Sequence, residues 1–322
     1  MVKRIAHAAP CRTIVDNSGK GSAARMNDAA QYSIMPTRTG GFACGFRKGW
    51  SEWQRDTAAA AKWAVEAGFE AIDLGHPSAE DIKALTDAGL KLGTVDFPGG
   101  WADGDAGKRK EAGEKAAAYI AEKAALGAKL FFTVIPGDGG RSWEENYKIA
   151  LDGFAPVASA AEAANAFIVI EGWPGGGSLP NLACTPETYR SLIKDIGLKS
   201  VAINYDPSHL IRLGVDHVRF LQEFAPHVKH VHGKDTELFP EAAYELGSQG
   251  SPFRKEHGFG EHIWRYTIPG HGIARWPTIF RILKENGFDG IVSVELEDEN
   301  FNGSEAGEKA GLTHSLNFLR GA

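Results

Sequence analysis

The chain has 322 residues, of which 43% are hydrophobic and 24% charged, so it can bury a large core. Its formal net charge of −6 offers no basic surface to nucleic acid or to an anionic membrane, and no apolar run approaches the roughly 20 residues that span a bilayer. Its three cysteines, Cys11, Cys44 and Cys184, are widely spaced and form no C-x-x-C motif. They predict neither a disulfide framework nor a thiolate metal site, and we expect a cytoplasmic protein.

The first 25 residues differ in composition from the rest. They carry five basic side chains against one acid, Asp16, with scattered Gly and Ser and no long apolar segment. We predict a disordered N-terminal arm over residues 1–25 and a folded domain over residues 26–322. A second methionine, Met26, makes an over-extended start a simpler explanation of the arm than a targeting segment.

From about residue 32 onward, short apolar runs alternate with helical stretches, which is the pattern of βα units around a parallel sheet. The first unit is the least regular: a strand is predicted at residues 32–36, followed by a glycine-rich loop through Gly40, Gly41 and Gly45. The later strands are predicted, in chain order, at F-E-A-I-D-L, K-L-G-T-V-D-F, L-F-F-T-V-I, F-I-V-I-E, V-A-I-N-Y-D, H-V-K-H-V-H and G-I-V-S-V-E-L.

Helices are predicted between these strands. Gly68 ends one of them, Ser78 begins the next, and Thr185-Pro186 begins another with a cap followed by proline. Eight strands and eight helices predict an α/β fold, a single-domain (β/α)8 TIM barrel. A doubly wound open sheet is the structural alternative, but no G-x-G-x-x-G follows any strand.

The spacing of the last two strands indicates an insertion. His232 and Glu295 are 63 residues apart, about twice the length of one βα unit. The surplus is the segment at about 236–266, after the seventh strand, which is rich in Gly, aromatic residues and His. A long loop at the C-terminal face of a barrel is usually functional, and a surface decoration or an oligomer contact is the alternative.

Four consecutive predicted strands end in a side chain that binds hard metal ions: Glu171, Asp206, His232 and Glu295. In a barrel these strand ends converge on one mouth, where three carboxylates and one imidazole suit Mn²⁺, Mg²⁺, Co²⁺ or Zn²⁺. Taken alone, Asp206 in Y-D-P-S-H is equally typical of a turn in which the acid caps the following residues. The combination of four strand ends favours a divalent metal site.

These motifs give the sequence a specific resemblance. Over about residues 30–320 it is similar to the xylose isomerase-like TIM-barrel superfamily, through the segments I-E-G, Y-D-P-S-H, H-V-H-G-K-D, R-Y-T-I-P-G-H-G and V-E-L-E-D. That superfamily includes ketose 3-epimerases, inosose isomerases and dehydratases, and C-glycoside deglycosidase subunits. The long insertion resembles the C-glycoside deglycosidase and 3-keto-sugar branch.

The resemblance implies roles for particular residues. It implies that Glu171, Asp206, His232 and Glu295 bind a divalent metal ion, with Mn²⁺ first. It also implies that Glu171 and Glu295 are the catalytic acid/base pair, and that His209 and Arg265 contact substrate oxygens. No organic cofactor is implied.

The neighbouring residues leave alternatives open. His230 lies on the same side of its strand as His232, which predicts a deeper supporting role. Lys234 is a candidate substrate-binding residue, with an ion pair to Asp235 as the alternative. Trp173 is a candidate to stack on a sugar, although packing is the commoner role of tryptophan. Further acidic and imidazole groups follow the early strands and are candidates to line the opposite wall: Asp73, His76, Asp96 and Asp138.

The leading functional hypothesis is a metal-dependent isomerase or epimerase that removes a proton next to a carbonyl of a sugar or cyclitol. The alternative is a lyase that eliminates the glycosidic group of a 3-keto-glycoside. Two other classes are an abasic-site endonuclease, against which the acidic balance argues, and a barrel that only binds a ligand. The partners expected are a small carbohydrate and a second subunit, identical or different, bound through the barrel helices and the insertion, with neither nucleic acid nor membrane.

Overall fold

The computed structural model describes residues 41–175 and 181–322. Eight of its strands form a barrel: β1 (Ala43–Arg47), β2 (Ala71–Leu74), β3 (Lys91–Asp96), β4 (Leu130–Thr133), β5 (Phe167–Glu171), β6 (Val201–Tyr205), β7 (Val228–Gly233) and β10 (Ile291–Val294). The barrel is closed, and its neighbouring strands are parallel, in the order β1-β10-β7-β6-β5-β4-β3-β2. The predicted (β/α)8 barrel is confirmed.

Ten α-helices surround or extend the barrel within the described residues. They are α1 (Thr57–Ala67), α2 (Ala79–Asp87), α3 (Ala106–Ala125), α4 (Trp143–Ala163), α5 (Pro186–Ile196), α6 (Pro207–Arg212), α7 (His217–Phe224), α8 (Pro240–Leu246), α9 (Trp276–Glu285) and α10 (Glu305–Gly321). Eight of them match the predicted helices, and α6 and α8 are additional short ones. No helix in this part of the chain combines the length and apolar character needed to cross a membrane.

Local capping explains where the helices begin and end. Ser78 forms a capping box with Asp81, and Thr185 caps α5 just before Pro186. Gly68 ends α1 in the left-handed conformation, with φ of 93°. These caps lie where the sequence predicted them, because they depend only on neighbouring residues.

The first barrel strand is not where its glycines suggested. The glycine-rich loop predicted through Gly45 is wrong there, because Gly45 lies inside β1. A Cβ at this position would approach the carbonyl oxygen of Ala71 to 2.9 Å, so the close approach of β1 and β2 requires glycine. The strand predicted at residues 32–36 and the arm predicted at 1–25 lie outside the described residues.

The predicted insertion follows β7 and contains regular structure. It includes an antiparallel hairpin of β8 (Asp235–Leu238) and β9 (Trp264–Thr267), with α8 between the two strands. Asp298, just after β10, holds the hairpin to the barrel. It is fully buried and accepts hydrogen bonds from Thr267 Oγ1 at 2.5 Å and from the backbone N–H of Ile268 at 3.1 Å.

Replacing Asp298 by alanine is expected to lower the free energy of unfolding by about 2–4 kcal/mol. The reason is that the substitution leaves buried donors of Thr267 and Ile268 without an acceptor. Urea denaturation followed by circular dichroism measures the change. The exposed Asp289→Ala is the matched control, with an expected change within about 0.5 kcal/mol. A loss below about 1 kcal/mol in Asp298→Ala would show that the anchor contributes little.

Candidate active site

The four predicted metal ligands lie at the C-terminal mouth of the barrel. Glu171 is the last residue of β5, and Asp206 and Glu295 directly follow β6 and β10. His232 lies near the end of β7, beside Ser293 of β10. Parallel strands bring these side chains together because all their C-terminal ends share one rim.

The distances show which of these groups meet. His232 Nδ1 lies 2.6 Å from Glu171 Oε1 and 3.3 Å from Glu295 Oε2. Single ligand atoms of Glu171, Asp206, His209 and Glu295 lie within 4.8 Å of one another. This group therefore contains three of the predicted ligands and, in place of His232, His209, which was expected to contact substrate. His232 borders the group through its contacts with Glu171 and Glu295, and it forms a second group with Asp73 and His230.

Asp206 both caps a helix and faces the cluster. Its Oδ1 accepts the backbone N–H of Ser208 at 2.8 Å, which starts α6. Its Oδ2 lies 3.4 Å from His209 Nε2 and 3.4 Å from Lys234 Nζ. The capping interpretation and the metal-site interpretation of Y-D-P-S-H thus apply to different oxygens of one carboxylate.

His209 is oriented by one residue of the insertion, Tyr266. Its Nδ1 lies 2.7 Å from the hydroxyl of Tyr266 in β9, and that hydroxyl also accepts from Arg212 at 3.1 Å. His209 Nε2 lies 3.5 Å from Glu171 Oε2. The insertion therefore contributes Tyr266 to the site, a residue that sequence reasoning did not single out.

Lys234 lies at the centre of the negative groups and is 1% exposed. Its Nζ donates to Glu295 Oε2 at 2.5 Å and to Glu297 Oε2 at 2.9 Å. Burial alone would lower the pKa of Lys234, but the charges of Glu295, Glu297 and Asp206 raise it well above its usual range. This ammonium keeps its proton and compensates the clustered carboxylates. The alternative ion pair with Asp235 is not among its contacts in the described residues.

The same mutual compensation fixes the charges of the other groups. Burial raises the pKa of Glu295, but Lys234 and His232 outweigh it, so the pKa lies well below its usual range. Burial and Glu295 also oppose ionisation of Glu171, yet His232 and His209 lower its pKa. The pKa of His232 is raised well above its usual range, because the carboxylates outweigh the effect of burial.

A second layer of polar groups supports His232 from inside the barrel. Asp73 Oδ2 lies 2.9 Å from His230 Nε2 and 3.7 Å from His232 Nε2, and Asp73 Oδ1 accepts the backbone N–H of Thr94 at 3.0 Å. Asp73 and both histidines are fully buried. Such an outer carboxylate orients an imidazole and selects its tautomer.

Arg47, at the end of β1, was missed by the sequence analysis. Its guanidinium pairs with Asp96 at 2.8 Å and lies 3.5 Å from Glu295 Oε1. It also lies 4.3 Å above the ring of Phe132, which stacks on His232. The signal was the arginine closing the apolar run F-A-C-G-F-R, which was hidden because Gly45 suggested a loop.

Two of the predicted substrate-binding residues make their described contacts elsewhere. Arg265 donates to Glu237 at 2.8 Å and to Glu299 at 3.1 Å, so its guanidinium joins the hairpin to the loop after β10. Trp173 is 40% exposed, and its carbonyl oxygen accepts from Asn181 Nδ2 at 2.9 Å.

The donor set fits a divalent cation. Its three carboxylates and its imidazole are ligand types for Mn²⁺, Mg²⁺, Co²⁺ or Zn²⁺. Among the described residues, none makes a hydrogen bond of good geometry with Asp206 Oδ2. Buried polar atoms in proteins are normally satisfied, so this oxygen is suited to hold an ion.

Comparisons with curated proteins place this barrel among sugar-converting enzymes. Inosose dehydratase of Clostridium botulinum is 25% identical over 248 residues, which cover 72% of this chain and 79% of that protein. Inosose dehydratase of Geobacillus thermodenitrificans is 25% identical over 249 residues, again 72% of this chain and 79% of that protein. This protein is accordingly an enzyme of the sugar isomerase, epimerase and lyase kind.

Solved structures and a family model agree on the fold. The 3-keto-D-glucoside 4-epimerase of E. coli superimposes with a TM-score of 0.64 at 17% identity, covering 87% of this chain and 100% of that one. A probable 3-DHS dehydratase of Bacillus anthracis gives 0.61 at 16% identity, covering 86% and 98%. Residues 61–322 match the family described as xylose isomerase-like TIM barrel. The chain therefore belongs to the xylose isomerase-like TIM barrel family.

Proposed function

We propose that this protein is a divalent-metal-dependent isomerase or epimerase that removes a proton next to a carbonyl of a sugar or cyclitol. The observation that carries the proposal is the convergence of Glu171, Asp206 and Glu295, with His232 in contact with Glu171 and Glu295 and with Asp206 Oδ2 making no hydrogen bond of good geometry among the described residues. These four residues would hold the ion, with Mn²⁺ first and Mg²⁺, Co²⁺ or Zn²⁺ as alternatives. When bound, the ion supplies Lewis acidity that stabilises charge developing on the substrate oxygens.

Glu171 and Glu295 are the proposed proton-transfer pair. They come from β5 and β10, which are separated in the barrel by β6 and β7, so they approach a ligand in the mouth from different directions. Both carboxylates are ionised, and Glu171 Oε1 is oriented by Asn204 Nδ2 at 2.9 Å. Glu171 would therefore accept the proton from the reacting carbon. In epimerisation, Glu295 would first take up a proton from solvent and then deliver it to the opposite face of that carbon.

His209 and Lys234 are the proposed substrate-orienting donors. His209 Nε2 and Lys234 Nζ lie 3.4 Å apart, and both border the carboxylate cluster. Hydrogen bonds to substrate hydroxyl or carbonyl oxygens from these two groups would fix the reacting carbon against Glu171. Trp173 and Arg265 remain outer candidates for contact with distal parts of the substrate.

Elimination is the second candidate reaction, and two observations favour it. The curated relatives reported above are named dehydratases, and elimination begins with the same proton abstraction. In addition, the charged Lys234 lies 2.5 Å from Glu295, so a cationic hydrogen-bond donor is present beside the second carboxylate. In the loss of water from a keto-cyclitol, or of the glycosidic group from a 3-keto-glycoside, such a donor would stabilise the negative charge that develops on the leaving oxygen.

Proton abstraction predicts exchange with solvent. In D₂O, the Mn²⁺-loaded enzyme is expected to replace the C–H next to the carbonyl of a keto-sugar or inosose by C–D, and NMR detects the change. A panel of free ketoses, inososes and 3-keto-glycosides separates epimer formation from release of water or aglycone. Turnover without deuterium incorporation would show that the proton stays within the substrate. It would count against carboxylates that exchange the proton with solvent. Turnover that survives complete metal removal contradicts the proposed metal dependence.

A further inference from the structure

Phe259, in the insertion, has an unusual backbone conformation. Its φ is +56°, and the other non-glycine residue with positive φ in the described chain is Asn165. Asparagine tolerates this left-handed region, whereas an aromatic residue there is strained. Strain of this kind persists where the surrounding structure imposes it, and it is concentrated at functional sites.

The turn that carries Phe259 is held by hydrogen bonds before and at that residue. The backbone N–H of Gly258 donates to Glu299 Oε2 at 2.7 Å, and His257 Nδ1 lies 3.2 Å from Glu299 Oε1. The carbonyl oxygen of Phe259 accepts the backbone N–H of Tyr266 at 2.9 Å. The barrel and the hairpin together therefore hold the strained residue in place.

The side chain of Phe259 lines a cleft that adjoins the carboxylate cluster. The cleft has a volume of about 430 Å³, and its lining includes Trp50, Arg47 and Glu295. Phe259 is 42% exposed and Trp50 is 90% exposed. Two large aromatic side chains thus border a cleft that Glu295, a residue of the proposed chemistry, also lines. Both keep a large part of their surface open to a ligand.

We infer that Phe259 and Trp50 form a subsite for a planar, apolar substituent of the substrate, so that the preferred ligand is a sugar carrying an aryl group. Phe259 and Trp50 would contact the aryl group, while the sugar lies against Glu171 and Glu295. Aromatic rings bind one another through area and stacking, which a methyl substituent cannot match. The inference rests on the proposed function for the position of the sugar, and it adds the class of substituent.

Binding of phenyl β-D-glucoside and methyl β-D-glucoside, measured by isothermal titration calorimetry, tests the subsite without requiring turnover. The wild-type protein is expected to bind the phenyl compound roughly tenfold more tightly, which corresponds to about 1.4 kcal/mol. Phe259→Gly and Trp50→Ala should each reduce that preference several-fold. Phe253→Ala, which removes a 94% exposed phenylalanine of the same insertion, is the matched control and should preserve it.

Thermal denaturation of Phe259→Gly separates function from packing. Glycine accepts positive φ without strain, so a subsite residue predicts an unchanged or higher Tm together with a lost aryl preference. A lower Tm with an unchanged preference, or equal wild-type affinity for the two glucosides, would overturn the inference. Failure of the proposed function is a separate result, namely the absence of deuterium exchange on every keto-sugar of the panel.

Discussion

Glu171→Gln is expected to lower kcat by about 10²–10⁴-fold on whichever keto-sugar the enzyme accepts. A positioned general base contributes a factor of this size, and glutamine keeps the shape of the side chain while removing its basicity. Asn204 Nδ2, which donates to Glu171 Oε1 at 2.9 Å, can still donate to the amide oxygen of the variant. Steady-state kinetics gives kcat, and solvent deuterium exchange should fall in parallel.

The control for this variant separates lost chemistry from lost structure. Glu114→Gln changes an exposed glutamate of α3 and should leave kcat unchanged. Because Glu171 is also a proposed metal ligand, the Mn²⁺ content of both variants is measured at saturating metal. A kcat within tenfold of wild type in metal-loaded Glu171→Gln would assign the proton transfer to another group.

Much of the barrel was predictable because its signals are local. The strand F-I-V-I-E is recognised from its own run of apolar residues, and the helix caps at Ser78 and Thr185 involve residues three positions apart. The strand Ala43–Arg47 was not predictable in this way, because Gly45 is required by contact with Ala71, which lies 26 positions further along the chain. The hairpin of the insertion was also hidden, since an antiparallel pair packed outside the barrel shows no βα rhythm.

In the candidate site, too, some residues could be predicted from the sequence and others could not. The convergence of Glu171, Asp206 and Glu295, with His232 beside two of them, follows from the rule that parallel strand ends share a rim. Their role as metal ligands stays a prediction. Arg47, Tyr266 and the dense pairing around Lys234 depend on side-chain directions and on how the insertion folds back. Arg265, whose motif indicated substrate contact, has Glu237, Asp298 and Glu299 as described partners, and its contact with substrate stays a prediction.

Basic side chains offset the repulsion between the buried carboxylates of the site. Lys234, Arg47 and His232 lie among the carboxylates and offset their mutual repulsion. Without these cations, the buried carboxylates would have to take up protons or lose burial. Metal removal is therefore expected to abolish activity while leaving the barrel folded, and the bound ion adds stability to an already compensated site.

Mn²⁺ at about 100 times its Kd is expected to raise the Tm of the wild-type protein by roughly 5–10 °C. Binding to the native state alone contributes about 2.7 kcal/mol at that concentration, and about 1 kcal/mol shifts the Tm of a domain of this size by roughly 2–4 °C. Asp206→Asn should lose most of the shift, because it neutralises Oδ2 while its Oδ1 can still cap α6. The exposed Asp289→Asn is the matched control and should show the full shift. An equal shift in both variants would remove Asp206 from the ligand set, and activity that persists after exhaustive chelation would remove the metal from the mechanism.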